Sequence, residues 1–196
     1  MPRPSAAQLE AARGKTVPDL VAPDLTVLFV GINPSLWSAA IGHHFGNPAN
    51  RLWPTLHAAG YTDRRLRPDE GDELLARGYG ITNVVARATR TAAEISADEL
   101  RAGVAPLAAT VRRWHPRVVA FLGLSAYRTA YGRPKAAVGL QDETVAGAPV
   151  WLLPNPSGLN AHYQLPDLAR LYAELRVWAA SAPRTVFVPE EKGRRP

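Results

Sequence analysis

The chain reads as an α/β protein: a three-layer α/β/α sandwich on a mostly parallel central sheet. Three observations carry that reading. Short apolar runs, β-branched or aromatic, recur at Leu25–Val30, Ile81–Val85, Val118–Leu122 and Val150–Leu153. Runs that are apolar on both faces are those of parallel strands buried between layers. Stretches of helical spacing separate them, which gives the strand–helix alternation of an α/β domain. The first and last runs both break into proline-bearing loops, and Pro34 and Pro154 forbid continuation of a central strand.

In chain order, residues 1–22 read as a flexible lead, residues 23–180 as one domain, and residues 181–196 as a disordered tail. Gly14-Lys15-Thr16 resembles the end of a phosphate loop, but position 9 is Leu and no strand precedes it. The first strand ends at Gly31. A dinucleotide fingerprint fails there, because positions 33 and 36 are Asn and Leu. A helix is expected from Asn47, as N-cap, with Pro48 in its first position, to Gly60. Leu52, Leu56 and Ala59 share its inner face. A second helix covers 68–78, with Leu74 and Leu75 inward. After the second strand, residues 86–93 form a polar connection. Ser96 to Glu99 is a capping box, and the helix it opens runs to Trp114. The third strand precedes a helix over 124–131. Residues 132–149 are irregular with an edge strand near 143–146, and Pro166-Asp167 opens a final helix with Leu168, Leu171, Tyr172 and Leu175 on one face.

Composition narrows the function. With 196 residues the chain can sustain its own core. It has no cysteine, which excludes disulfides, iron–sulfur clusters and thiol chemistry. No apolar run approaches the roughly 20 residues of a membrane span, and the N-terminus has no signal-peptide core. A monomeric cytoplasmic protein without membrane attachment is expected. The formal net charge is +6, of which +3 lies outside the two ends. That balance is compatible with nucleic acid and does not establish it.

The chemistry concentrates in two loops that the sheet places at one end, where open α/β sheets bind ligands. Both contain Asn-Pro-Ser, at 33–35 and 155–157. Proline forces the chain out of the sheet, and asparagine then presents both a donor and an acceptor. Either asparagine alone reads more readily as a turn cap, and it is the two loops at one sheet end that favour a functional reading. No Asp or Glu lies between Thr26 and Ala59, and neither a nucleophile elbow nor a His-Glu-x-x-His motif is present. His43 and His44 lack partners at metal spacing, so they read as exposed or phosphate-contacting side chains, and no metal or cofactor is expected. Phe45 is either a core residue or a platform on which a base stacks.

Gly31-Ile32-Asn33-Pro34-Ser35, Gly42 to Phe45, Asn47 to Trp53 and Asn155 to Leu159 together resemble the mismatch-specific uracil-DNA and thymine-DNA glycosylases. The resemblance runs from about Leu25 to Val177. It implies the same sandwich fold and a monofunctional glycosylase that flips uracil, thymine or etheno-cytosine mispaired with guanine out of duplex DNA. It implies that Asn33 positions the hydrolytic water. Ile32 contacts the pyrimidine edge through its backbone, Phe45 stacks on the base, and Ser38 and Asn83 complete the base pocket. Asn155, Pro156, Ser157 and Asn160 belong to the loop that grips the strand, with Gly158 and Leu159 as a wedge. His43, His44 and His162 are candidate phosphate contacts near that surface. Bacterial relatives often carry a glycine where Ser35 stands and an arginine where Ala161 stands. A non-catalytic damage-binding protein on the same fold is the alternative. A nucleoside hydrolase would call for acidic residues at the strand ends, which the first loop lacks.

Overall fold

The computed structural model describes residues 3–183. Its sheet has five strands: β1 (Val27–Gly31), β2 (Tyr79–Asn83), β3 (Val119–Leu122), β4 (Gly139–Val145) and β5 (Ala148–Leu153), in the order β2-β1-β3-β5-β4. β2, β1, β3 and β5 are parallel, and only β4 runs antiparallel, on β5. In β1, Val27, Leu28, Phe29 and Val30 are all fully buried, as a strand covered on both faces requires. The strand order reverses direction between β1 and β3. The carboxyl end of β1 therefore opens at the topological switch point.

Two layers of helices cover the sheet. Val27 and Phe29 face α3 (Leu52–Ala58), α4 (Gly71–Ala76) and α8 (Leu165–Ser181). Leu28 and Val30 face α5 (Ala97–Ala102), α6 (Val104–Trp114) and α7 (Leu124–Tyr131). Two short helices, α1 (Ala6–Ala11) and α2 (Leu36–Ile41), pack on each other near the end of β1. The three-layer α/β/α sandwich is the architecture expected from the sequence.

The differences have local causes. Residues 5–22 are not a flexible lead. Ser5 and Gln8 cap α1 reciprocally, Ala12 and Val17 are buried, and Leu20 exchanges two backbone hydrogen bonds with Ile81, which extends the sheet edge. The helix expected from Asn47 begins only at Leu52. The Arg51 N–H is committed to the Pro156 carbonyl at 2.8 Å, and Asn47 and Asn50 instead make turns, accepting from the N–H groups of Ala49 and Leu52. The helix over 96–114 is two helices. Pro106 lacks an N–H and would collide with the carbonyl of Ala102 in an unbroken helix, so it sits in the first turn of a new one. The second strand lies two residues earlier than its apolar run. Val84 and Val85 still donate to Gly31 and Ile32, so the ladder outlasts the strand geometry. The tail expected at 181–196 lies outside the described residues beyond 183.

Candidate active site

The two Asn-Pro-Ser loops leave the carboxyl ends of β1 and β5, with β3 between them. They meet because β3 ends at Gly123, whose φ of 141° turns the chain sharply away into α7. Ile32 and Asn155 approach each other over Gly123, where a Cβ would meet both at ordinary contact distance, so it is the backbone conformation rather than space that calls for glycine. The resulting cavity has a volume of about 350 Å³, and its lining includes Ile32, Asn33, Phe45, Asn83, Thr89 and Leu159. Ligand pockets typically begin near 300 Å³.

Asn33 is held by a loop more than fifty residues away. Its Nδ2 donates to the Arg87 carbonyl at 3.0 Å, to Thr89 Oγ1 at 2.7 Å and to the Pro34 carbonyl at 3.2 Å. Carbonyls only accept, so the amide orientation is unambiguous. Thr89 Oγ1 is equally constrained, because its own proton goes to the Thr91 carbonyl at 2.7 Å. Asn33 Oδ1 is thereby left as a fixed acceptor on the cavity side. Two further bonds, Thr89 N–H to the Pro34 carbonyl and Leu36 N–H to the Thr89 carbonyl, join the loops directly. Arg87 is itself clamped by a bidentate pair with Glu99, at 2.5 and 2.9 Å. Arg87 beside it, and the Ser96 N–H of the capping box, hold the Glu99 carboxyl down at about 2.

Asn83 and Phe45 form the opposite side. Asn83 Nδ2 lies 3.4 Å from His44 Nδ1, and His44 Nε2 lies 2.9 Å from the Pro18 carbonyl. Since Pro18 can only accept, Nε2 carries the proton and Nδ1 accepts from Asn83. Asn83 Oδ1 is then turned to the cavity, directly over Gly31. A Cβ at Gly31 would collide with that oxygen and come within 3.1 Å of Phe45 Cζ. Gly31 is thus the space in which Asn83 and the Phe45 ring meet. Phe45 is held at a φ of 50°, a conformation that bulky residues seldom adopt and that recurs at functional sites.

The loop after β5 is built differently. Asn155 Oδ1 accepts from the Ser157 N–H, Ser157 Oγ from the Leu159 N–H, and Asn160 Nδ2 donates to the Asn155 carbonyl. Arg51 clamps it from outside, donating from Nη1 to the Tyr163 carbonyl and from Nη2 to the carbonyls of Ser157 and Asn160, at 2.6 to 2.8 Å. Gly158 presses against the Ala49 carbonyl so closely that a side chain there would collide with it. At the tip Leu159 is 87% exposed beside a cavity, a placement with no structural explanation.

A model of the Uracil DNA glycosylase superfamily matches residues 18–178. The chain belongs to that superfamily. A solution structure from Methanosarcina acetivorans, of a protein described as a candidate uracil DNA glycosylase, shares the fold with a TM-score of 0.52 and 20% identity. The match covers 83% of this chain and 98% of the other.

Within this superfamily member, Ile32, Asn33, Ser38, Phe45, Asn83, Asn155, Ser157, Gly158 and Leu159 all line the one cavity. Ser38 serves through its neighbours: buried, it bonds the Gly46 N–H and the Ser35 hydroxyl, which fixes the turn that delivers Phe45. Pro156 is buried and Asn160 internally bonded, so both shape the loop. His44 is a correction. At 3% exposure it cannot reach a phosphate as an outward side chain would. Burial lowers its pKa below the usual histidine value, with His43 adding to the effect and Pro18 and Asp19 opposing it, so it is neutral at pH 7. His43 is half-buried and His162 exposed. Thr89, the Arg87 carbonyl, Arg51 and Gly123 escaped the sequence reading. Arg51 lies inside the Asn47–Trp53 motif, whose asparagine and proline mark a helix start rather than a clamp, whereas Thr89 sits in an unremarkable polar stretch. Among the described residues, no three His, Asp or Glu side chains are grouped to hold a metal, and no helix is long and apolar enough to cross a membrane.

Proposed function

We propose that this chain is a monofunctional DNA glycosylase that flips uracil mispaired with guanine out of duplex DNA and hydrolyses its glycosidic bond with a water held by Asn33. Membership of the superfamily supports DNA glycosylase activity on uracil. The fixed orientation of the Asn33 amide is the observation that carries the finer reading. Its Oδ1 accepts a hydrogen bond from the water, which leaves an oxygen lone pair aimed at C1′. The water oxygen bonds to C1′ and the C1′–N1 electron pair leaves with the base; one water proton stays on the new C1′ hydroxyl and the other ends on the base by way of solvent. An amide cannot take the proton away. The reaction therefore forgoes the roughly 10²–10⁴-fold gain of a positioned base and runs slowly.

Recognition follows from the same geometry. Asn83 Oδ1 offers an acceptor to the N3–H that uracil and thymine carry and cytosine lacks. It reads the base rather than donating to its developing charge. Phe45 supplies a stacking face, and Leu159 enters the stack where the base has left, a replacement that costs least at a mismatch.

The test is alkali-induced strand cleavage on labelled duplexes carrying uracil opposite guanine, uracil opposite adenine, or thymine opposite guanine, and on single-stranded uracil. Cleavage favouring uracil opposite guanine is expected. Tight binding without release on any substrate would make the chain a damage-binding protein instead.

A further inference from the structure

The family match begins at residue 18, and the stretch that spans this boundary, residues 5–20, reaches the site by two routes. On the first route, Gly14 N–H donates to the Ala88 carbonyl at 2.9 Å and Ala88 N–H donates to the Lys15 carbonyl at 2.8 Å. Ala88 is fully buried, and its two neighbours, Arg87 and Thr89, are the residues that orient Asn33. The same loop is tied to α1 and the turn after it by ion pairs, Arg13 to Glu94 at 2.9 Å and Arg90 to Glu10 at 3.2 Å, with Glu10 also holding Arg13 at 2.7 Å. On the second route, the Pro18 carbonyl accepts a hydrogen bond from His44 Nε2–H and so determines how Asn83 presents its amide. Asp19 and Leu20 anchor that stretch through Thr82 and Ile81 on β2.

We propose that residues 5–20 are a working part of the active site, a brace that orients Asn33 through Ala88 and Asn83 through His44. The proposal rests on the glycosylase reading above. Without the brace, the non-local hydrogen bonds and ion pairs that the 86–94 loop retains among the described residues are those with the first loop and with Glu99. Its carbonyl and hydroxyl then no longer define one position for the Asn33 amide. The exposed ion pairs contribute little individually, and the reciprocal backbone pair on buried Ala88 bears most of the constraint. Misplacement of a reacting group by about 1 Å costs on the order of 10²-fold in rate.

The experiment compares the full chain with a form lacking residues 1–15, which removes α1, Arg13 and both backbone partners of Ala88. Two readouts are taken: single-turnover uracil release with duplex affinity, and solvent exchange of the Asn33 side-chain amide protons by NMR. The brace predicts release slowed by about 10- to 100-fold, affinity within about twofold, and faster exchange of the Asn33 amide. Thr89→Val should slow release in the same way. Combining it with the truncation should add less than the product of the two effects, since both act through one route. If the truncated form does not fold, Gly14→Pro serves, because it removes the N–H that bonds the Ala88 carbonyl and cannot adopt the φ of 75° held there, while leaving residues 15–20 in the chain. A folded variant with unchanged release and unchanged amide exchange overturns the brace. A full chain that releases no base overturns the glycosylase reading alone, and the amide exchange then still decides the brace.

Discussion

The chain uses Asn-Pro-Ser twice, and the two copies do opposite work. Asn33 spends its amide nitrogen on Arg87 and Thr89, residues brought to it by the fold, and keeps its oxygen for the cavity. Asn155 spends its oxygen on Ser157, two residues along, in an ordinary asparagine turn. The first is oriented by tertiary structure and suited to chemistry. The second shapes a loop whose product is an exposed leucine. Identical tripeptides at equivalent strand ends thus differ in where their hydrogen bonds go, and that accounting separates the roles.

The comparison can be broken most severely at Gly31. Gly31→Ala drives a methyl group into Asn83 Oδ1 and the Phe45 ring. Side-chain ends can give way, so a stability loss of about 1–3 kcal/mol is expected, as for overpacking. Release should nonetheless fall by about 10²-fold, the cost of misplaced groups. Chemical denaturation and single-turnover release on one preparation check both. In the second loop, Arg51→Ala removes the donor to three carbonyls. It should weaken duplex binding about tenfold, and hydrogen bonds from a charged group set the scale at about 1.5–3 kcal/mol. Fluorescence anisotropy and denaturation measure these. Arg51→Lys should recover little, since an ammonium has no planar fork.

Leu159→Ala sharpens the contrast. The side chain is 87% exposed, so stability should change by less than about 0.5 kcal/mol. Release from duplex DNA should fall while release from single strands, where nothing has to be displaced from a stack, is spared.

A smaller effect concerns pH. His44 has its folded pKa lowered, first by burial, from a reference of 6.5. The unfolded chain therefore takes up the proton more readily. Stability from this group is complete above pH 6.5 and is lost as pH falls through the folded value. Protonation would also turn Nδ1 into a donor and set it against Asn83 Nδ2. Thermal melts from pH 7.5 to 5.5 should show a decline that His44→Gln reduces.

Much of this was legible in the sequence, for identifiable reasons. The strands announced themselves because burial on both faces leaves uninterrupted apolar runs such as Val27 to Val30. Asn33 and Phe45 were legible as cavity-lining residues because each sits where its residue type is costly without a purpose, and Leu159 was legible only through the family resemblance. Thr89 was not, since its value comes only from being carried beside Asn33 by a ladder that continues past β2. His44 was misread for the same reason: its partner is the carbonyl of Pro18, and no side-chain pattern marks a carbonyl. The N-terminal segment lacked the apolar run of a strand, and it is held largely by backbone bonds and a single buried turn. Pro106 did carry its signal, a proline ten residues after the Ser96 cap, and the capping box outweighed it.

The most direct measurement sets Asn33→Ala beside Asn155→Ala in single-turnover release of uracil from a duplex in which it faces guanine, with affinity measured for both. Asn33→Ala should lose about 10²-fold or more in release and retain affinity. Asn155→Ala should lose affinity modestly and release far less at saturating enzyme. Equal losses in release for the two variants, or a loss confined to Asn155→Ala, would contradict the assignment of the chemistry to the first loop.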